Sequence, residues 1–242
     1  MRAVVLKATE SLDLEERPEP TAGWGEIVVR IKATGICGTD LSIFGGKVPI
    51  EYPLVLGHEM VGTLESPTPE LSIGTRVVVD PNVFCGTCYQ CSKGQENICA
   101  RAELMGRDRD GSLTDLIIVP ARNIYPIPDE IDDKVAPILQ VLTTCVHAQR
   151  QAEVFSQDSV VVLGLGVTGL LHVQLAKLRG AYPVIGITRS KSKRSLAARL
   201  GADLVLDPSD PELHARVAEA TGGRGSDLVM SVPERPGRSP KP

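Results

Sequence analysis

Cys85, Cys88, Cys91 and Cys99 follow one another at spacings of three, three and eight, four thiols in a stretch of fifteen residues. A segment this dense in sulfur is constrained to wrap rather than to run on as a strand or helix. Zn²⁺ takes four sulfur ligands at about 2.3 Å, and short Cys-x-x-Cys steps deliver neighbouring sulfurs to one ion. Gly86 and Gly94 ease that wrapping, because glycine tolerates positive φ. Four thiolates leave no open position, so the expected zinc is structural. A disulfide pair and a nucleic-acid zinc ribbon are the other readings. Disulfides belong to oxidising compartments, whereas the N-terminus Met1–Lys7 reads as a strand and not as a signal peptide. A ribbon would bring a basic surface and stacking aromatics; the net charge is −4 and aromatics are 3%. No apolar run reaches the roughly 18 residues of a membrane helix. A cytoplasmic protein without a nucleic-acid or membrane partner is expected.

A second constellation lies upstream, in Gly35-Ile-Cys37-Gly-Thr39-Asp40 followed by Gly57-His58-Glu59. A thiolate, an imidazole and a carboxylate suit a catalytic zinc, which keeps one position open for water or substrate and acts as a Lewis acid. Asp40 is placed to accept the distal N–H of His58 and fix its tautomer, and Thr39 offers a hydroxyl for proton transfer. Cys37 as a small buried hydrophobe and His58 as a turn residue are the alternative, which the neighbouring thiol loop disfavours.

A third motif lies past the middle. The apolar run Asp158-Ser-Val-Val-Val-Leu163 reads as a buried parallel strand. It leads into Gly164-Leu-Gly166-Val167-Thr-Gly169 and then a helix over 170–179. Gly-x-Gly-x-x-Gly between strand and helix is the context in which a pyrophosphate settles on a helix N-terminus. A second strand is expected over 183–187. At its end an acid would bind an unphosphorylated adenosine ribose, but Thr188 stands there, followed by Arg189, Lys191, Lys193 and Arg194. That favours NADP over NAD. A solvated basic turn before a helix over 195–200 is the alternative.

In this order the motifs resemble the zinc-dependent medium-chain alcohol and polyol dehydrogenases over most of the chain. The resemblance implies an α/β protein: a GroES-like β-barrel-type catalytic domain, then a Rossmann domain, with hydride passing between an alcohol and a nicotinamide in the cleft between them. It implies Cys37 and His58 as catalytic zinc ligands, Thr39 as relay hydroxyl, Asp40 behind the histidine, Glu59 as an acid able to approach the metal, and Lys193 as a cation of the adenosine pocket. The third protein ligand falls on Gln140, a neutral amide where relatives carry Cys, Glu or Asp; this hints at polyol or sugar substrates. Cys145, about 140° round the same helix, reads as a packed thiol. Ser42 replaces a histidine that ends the proton path in many relatives. Phe44 and Val48 lie where the family draws its substrate pocket, and a homo-oligomer is compatible with the full-length form.

Short strands over 27–33, 74–80 and 114–120, punctuated by Gly and Pro, suit a β-rich first part. A helix over 132–150 is expected to bridge to alternating strands and helices, with strands ending at 206 and 232 and a helix over 211–221. The expected domains are 1–148 and 149–232, with a disordered proline-rich tail over 233–242. His147 and His172 are expected at surface or interface positions and His214 in solvent. Four parallel strands where a full doubly wound fold has six suggest a C-terminal truncation, by a frameshift near Pro233. A truncated homologue that binds zinc and nucleotide without turnover is therefore an alternative to an active enzyme.

Overall fold

Alternation of β-branched and polar residues builds the first part of the chain. The structure, a computed structural model, describes residues 1–232; the expectations for 233–242 lie outside the described residues. Strands β1 (Arg2–Ala8), β2 (Ser11–Glu16), β3 (Glu26–Gly35), β4 (Leu54–Val55), β5 (Glu59–Leu64), β6 (Arg76–Val79), β7 (Asn82–Val83), β8 (Glu103–Leu104), β9 (Leu116–Pro120) and β10 (Ile124–Pro126) form three antiparallel sheets. The largest has the order β10-β6-β5-β3-β9, the second β2-β1-β4, and β7 pairs with β8. Ile27 and Val29 of β3, Met60 and Leu64 of β5, Val77 and Val79 of β6 and Ile117 and Val119 of β9 fill the core on one side of the main sheet. Side chains two apart share a face of a strand, so this spacing turns sequence alternation into one apolar layer.

Two short helices belong to this unit: α1 (Gly38–Phe44), between β3 and β4, and α2 (Tyr89–Ser92), inside the thiol loop. Ile43 packs with Leu6, Leu54 and Leu56, and Phe44 and Val48 are half-buried against that cluster.

The chain divides into two compact units after Gln140, eight residues ahead of the boundary expected from sequence. The dividing helix α3 (Ile138–Gln151) also starts later than expected. Pro137 pushes Ala136 away from the helical region, and residues 132–136 form separate turns closed on the Asp132 carbonyl.

In the second unit strands β11 (Val160–Leu163), β12 (Val184–Ile187), β13 (Leu204–Leu206) and β14 (Leu228–Ser231) alternate with α4 (Val167–Leu178), α5 (Lys191–Arg199) and α6 (Leu213–Ala220). All pairs are parallel, in the order β13-β12-β11-β14. Reading 3-2-1-4, this is the first half and switch point of a doubly wound sheet. Among the described residues β14 is an edge strand, with Val229 56% exposed and Met230 only 9%.

Two further readings are corrected. Helix α5 begins at Lys191, because Ser190 caps it by accepting the Lys193 N–H at 3.4 Å. Lys191, Lys193 and Arg194 therefore lie on its first turn and not in a loop before Ser195, while Arg189 stands just ahead of the cap. His172 is 5% exposed and so neither a surface nor an interface residue. Its Nδ1 and carbonyl both face the Gln149 amide nitrogen, at 3.2 and 2.9 Å, which joins α4 to α3 inside the second unit.

Candidate functional site

Cys37, His58 and Glu59 are brought together by the ends of β3 and β5. Strand β3 runs out at Gly35, paired opposite Glu59 at the start of β5, and the chain turns at once into α1. Cys37 is the N-cap of that helix, and Asp40 reaches back to accept the Cys37 N–H at 2.7 Å. The second oxygen of Asp40 accepts the Gly57 N–H at 3.2 Å and lies 3.2 Å from His58 Nδ1. No hydrogen bond forms across that distance, which leaves Nδ1 a buried nitrogen without one. Asp40 and His58 are 3% and 5% exposed. One buried carboxylate thus ties together the two segments that carry the candidate ligands.

The Cys37 sulfur, a His58 ring nitrogen and a Glu59 carboxylate oxygen all lie within 4.8 Å of one another. A side chain on Gly35 would collide with the Glu59 carboxylate, so glycine there keeps the acid folded in beside the cluster. The Thr39 hydroxyl is 3.8 Å from the Cys37 sulfur. Burial works against a charged His58, but the Asp40 carboxylate and the Cys37 thiolate outweigh it and hold the imidazole up at about 10. His58 in turn pulls the Cys37 thiol below its usual range. A thiolate, an imidazole and a carboxylate converging in a half-buried pocket form a donor set that fits a divalent, borderline-soft metal.

Sequence reasoning missed what steadies this pocket from behind. Gly57 has φ +96°, and a Cβ there would sit 2.6 Å from the Ser112 hydroxyl. Gly106 and Gly111 pack so closely on the Gly57 backbone that neither tolerates a Cβ. Segment 110–113 clamps the His58 approach: Gly111 N–H donates to the Val55 carbonyl at 2.7 Å, Ser112 N–H to Gly57 at 3.0 Å and Leu113 N–H to Leu56 at 2.9 Å. These partners are some fifty residues apart, and no local pattern marks them.

Around the second cluster, sulfurs of Cys85, Cys88, Cys91 and Cys99 lie 3.5–3.9 Å apart in the four pairs Cys85–Cys91, Cys88–Cys91, Cys88–Cys99 and Cys85–Cys99. Those separations exceed a disulfide and match the edge, about 3.8 Å, of a tetrahedron with metal–sulfur bonds of about 2.3 Å. The Thr87 backbone N–H, with that of Cys88, pulls the Cys85 thiol down to about 5, whereas burial pushes Cys91 up to about 12. Gly86 and Gly94 take φ of +74° and +70°. The geometry fits an all-thiolate metal site.

In the second unit, the glycine turn after β11 has three separate jobs. Gly164 takes φ +89°. Gly169 packs against the Gly164 carbonyl so tightly that any Cβ is excluded. Gly166 caps α4, and a Cβ on it would meet nothing within 4 Å. That middle position is therefore open outward, the cradle a phosphate needs at a helix N-terminus. A cleft lined by Leu163, Gly164, Ile187, Thr188, Arg189, Pro208 and Ser231 opens beside it at the C-terminal ends of the strands, where α/β sheets bind ligands. Val167 opens α4, Thr188 is buried, Arg189 is exposed, and Lys193 is half-buried on α5.

Gln140 stands on the first turn of α3 and is half-buried, as is Ser42 on α1. Cys145 is buried, its sulfur 3.8 Å from the Thr168 carbonyl within the second unit. His147 and His214 are exposed. Among the described residues no helix is long and apolar enough to cross a membrane.

Residues 23–129 match the alcohol dehydrogenase GroES-like domain, and residues 167–234 the zinc-binding dehydrogenase family. The L-threonine 3-dehydrogenase of Pyrococcus furiosus is 33% identical, over 93% of this chain and 66% of its own. The L-galactonate-5-dehydrogenase of Escherichia coli K12 is 34% identical, over 96% of this chain and 69% of its own. Among solved structures, a zinc-binding dehydrogenase of Sinorhizobium meliloti bound to NADP matches with a TM-score of 0.87 at 34% identity, over 95% of this chain and 69% of that one. An alcohol dehydrogenase of E. coli CFT073 complexed with NADH matches with a TM-score of 0.89 at 32% identity, over 98% and 70%. The chain spans about two thirds of the length of these relatives. With a thiolate–imidazole–carboxylate cluster in a GroES-like unit and a four-thiol loop beside it, followed by a glycine-turn parallel sheet, the chain belongs to the zinc-dependent medium-chain alcohol dehydrogenase family.

Proposed function

We propose that this chain carries the metal-binding and nucleotide-binding parts of an oxidoreductase that moves a hydride between an alcohol and a nicotinamide cofactor, with NADP preferred over NAD. The observation that carries this reading is the convergence of Cys37, His58 and Glu59 within 4.8 Å around the Asp40 bracket. Cys37 and His58 would hold a catalytic zinc, with Glu59 and Gln140 as oxygen donors, and Cys85, Cys88, Cys91 and Cys99 a second, structural one. Bound zinc supplies Lewis acidity, which favours the alkoxide form of an alcohol. The chain's own part is to place donors and move a proton. Asp40 holds the His58 loop in register, and the Thr39 hydroxyl, close to the Cys37 sulfur, relays the alcohol's proton, passing its own on toward Ser42 as it accepts. Ser42 extends that path to water without titrating near neutrality.

Relatives named for L-threonine, sorbitol and L-galactonate support secondary alcohols, polyols or sugar derivatives as the substrate class. Neighbours hold NADP in one case and NADH in another, so cofactor preference rests on this chain's Thr188 in place of an acid and on its α5 cations. Residues 1–148 would form the catalytic part and 149–232 the nucleotide-binding part of a cytoplasmic protein. A second reading is a zinc- and nucleotide-binding homologue without turnover.

A steady-state screen of secondary alcohols, polyols and sugars with both nicotinamides, beside metal analysis, separates the two. Turnover lost on Cys37→Ser supports the first; tight zinc and nucleotide binding with no turnover on any alcohol supports the second. Absence of metal at the Cys37–His58 cluster overturns both.

A further inference from the structure

The Arg194 guanidinium does not reach into solvent as a spare cation of the cluster. One of its nitrogens donates to the Thr188 carbonyl at 2.6 Å, to the Arg189 carbonyl at 2.9 Å and to the Asp207 carboxylate at 2.7 Å. Thr188 and Arg189 line the cleft at the end of β12, and Pro208, next to Asp207, lines it at the end of β13. A single side chain thus stitches together two walls of the cleft where the adenosine end of a nucleotide would lie. Arg194 and Asp207 are 20% and 32% exposed, so their interaction is less screened than that of a surface pair.

Asp207 is the acid that matters here. The carboxylate that would bind a ribose is missing from the end of β12, where Thr188 stands. Asp203 lies at the opposite end of the strands, tied to Lys177 and to the Val184 N–H. Asp207 is therefore the first acid after Thr188 at the cleft end. Its other oxygen accepts from the Ser209 hydroxyl at 2.6 Å and the Ser209 N–H at 3.0 Å. Those donors, followed by the Arg194 charge, hold its carboxyl below the usual range, so it is an anion at neutral pH.

We infer that Arg194 is a positioning residue that sets cofactor choice, by neutralising the Asp207 carboxylate and fixing the Thr188–Arg189 wall of the cleft. The inference rests on the nucleotide reading above. With the guanidinium in place a ribose phosphate meets a balanced ion pair; without it, the phosphate meets a bare carboxylate, and a free ribose gains an acceptor.

Binding titrations of the full chain with NADP and with NAD test this, the readout being the ratio of the two dissociation constants. Arg194→Leu is expected to shift that ratio toward NAD on the order of tenfold, the scale of one uncompensated charge a few ångströms away in a partly exposed site. Arg194→Leu combined with Asp207→Asn is expected to restore most of the wild-type ratio. Equal weakening of both cofactors in Arg194→Leu, or a double variant no different from it, overturns the inference alone. A wild-type chain that binds neither nucleotide overturns it together with the nucleotide reading. Thermal melting of each variant reports whether it is folded, and Asp207→Asn alone, which keeps Arg194, repeats the test if Arg194→Leu fails to fold. Asp207→Asn is expected to hold or raise the preference for NADP; a shift toward NAD overturns the inference.

Discussion

Asp40 concentrates most of the geometry of the metal cluster in one side chain. Its two oxygens satisfy the Cys37 and Gly57 amides, so the ligand loops are set by a group that is not itself a ligand. Asp40→Asn keeps the shape but turns an N–H₂ toward one of those amides. It is expected to weaken metal at the Cys37–His58 cluster by about 10–100-fold, the usual cost of losing such a partner, while the four-thiol loop keeps its ion. Cobalt titration followed by its mixed sulfur–nitrogen band measures the first and the all-thiolate band the second; an unshifted mixed-ligand affinity refutes the bracket. The glycine turn allows a sharper contrast. Gly166→Ala adds a methyl in open space at φ −74°, so melting should be unchanged while nucleotide affinity falls. Gly169→Ala drives a methyl into the Gly164 carbonyl and should cost about 1–3 kcal/mol or more, as overpacking does. Equal effects of the two on stability would show that the open side of Gly166 is not a phosphate cradle. At this scale the ligand residues were legible because their chemistry is rare and their spacing short. The Gly57–Gly106–Gly111 stack and Ser112 were not, because nothing local distinguishes a glycine that meets another backbone from one in a turn.

Among the elements, strands were read closely and helix starts poorly. The strand over 160–163 follows from a β-branched run between a turn and a glycine, whereas α5 begins four residues before the expected 195 because the Ser190 cap outweighs the polarity of Lys191-Ser-Lys193-Arg194. Capping is a single hydrogen bond, worth about 1 kcal/mol, and is easily hidden among residues that look solvated. The thiol loop is the element with the least conventional support: α2 has four residues, none of them buried, so little besides the sulfur cluster orders it. Cys88→Ser is therefore expected to lower the metal content by one ion per chain and to lower the melting temperature, with protease cutting appearing between residues 85 and 99. Unchanged metal content and melting would mean that the sulfurs' near-tetrahedral spacing has another cause.

At the scale of the whole molecule the order of motifs told more than any one of them, since a glycine turn acquires meaning only after a strand and before a helix. The unit boundary at Gln140 and the burial of His172 were hidden, because both depend on which face of α3 and α4 is covered. That burial has a consequence for the second unit. Gln149 offers its amide hydrogens to the His172 Nδ1 and carbonyl, which makes Nδ1 an acceptor and the folded-state ring neutral. Burial accordingly pulls His172 below its ordinary value of 6.5. The unfolded chain then takes up a proton near 6.5 that the folded one refuses, so stability is fully present above that pH. It falls as the pH drops below, by at most about 1.4 kcal/mol per unit, until the folded ring also protonates. The depressed carboxyls of Asp207, Asp210 and Asp227 contribute stability above about 3.8 and lose it only at lower pH, so within the second unit they leave the window just below 6.5 to the histidine; Cys85 and His58, whose shifts also cross that window, belong to the first unit. Amide exchange of β11 and α4 between pH 7.5 and about 5 should show this slope in the wild type. His172→Gln, uncharged throughout, should flatten it. A slope that survives the substitution assigns the proton to another group, and a wild type flat across the window means that the buried pair opens to water.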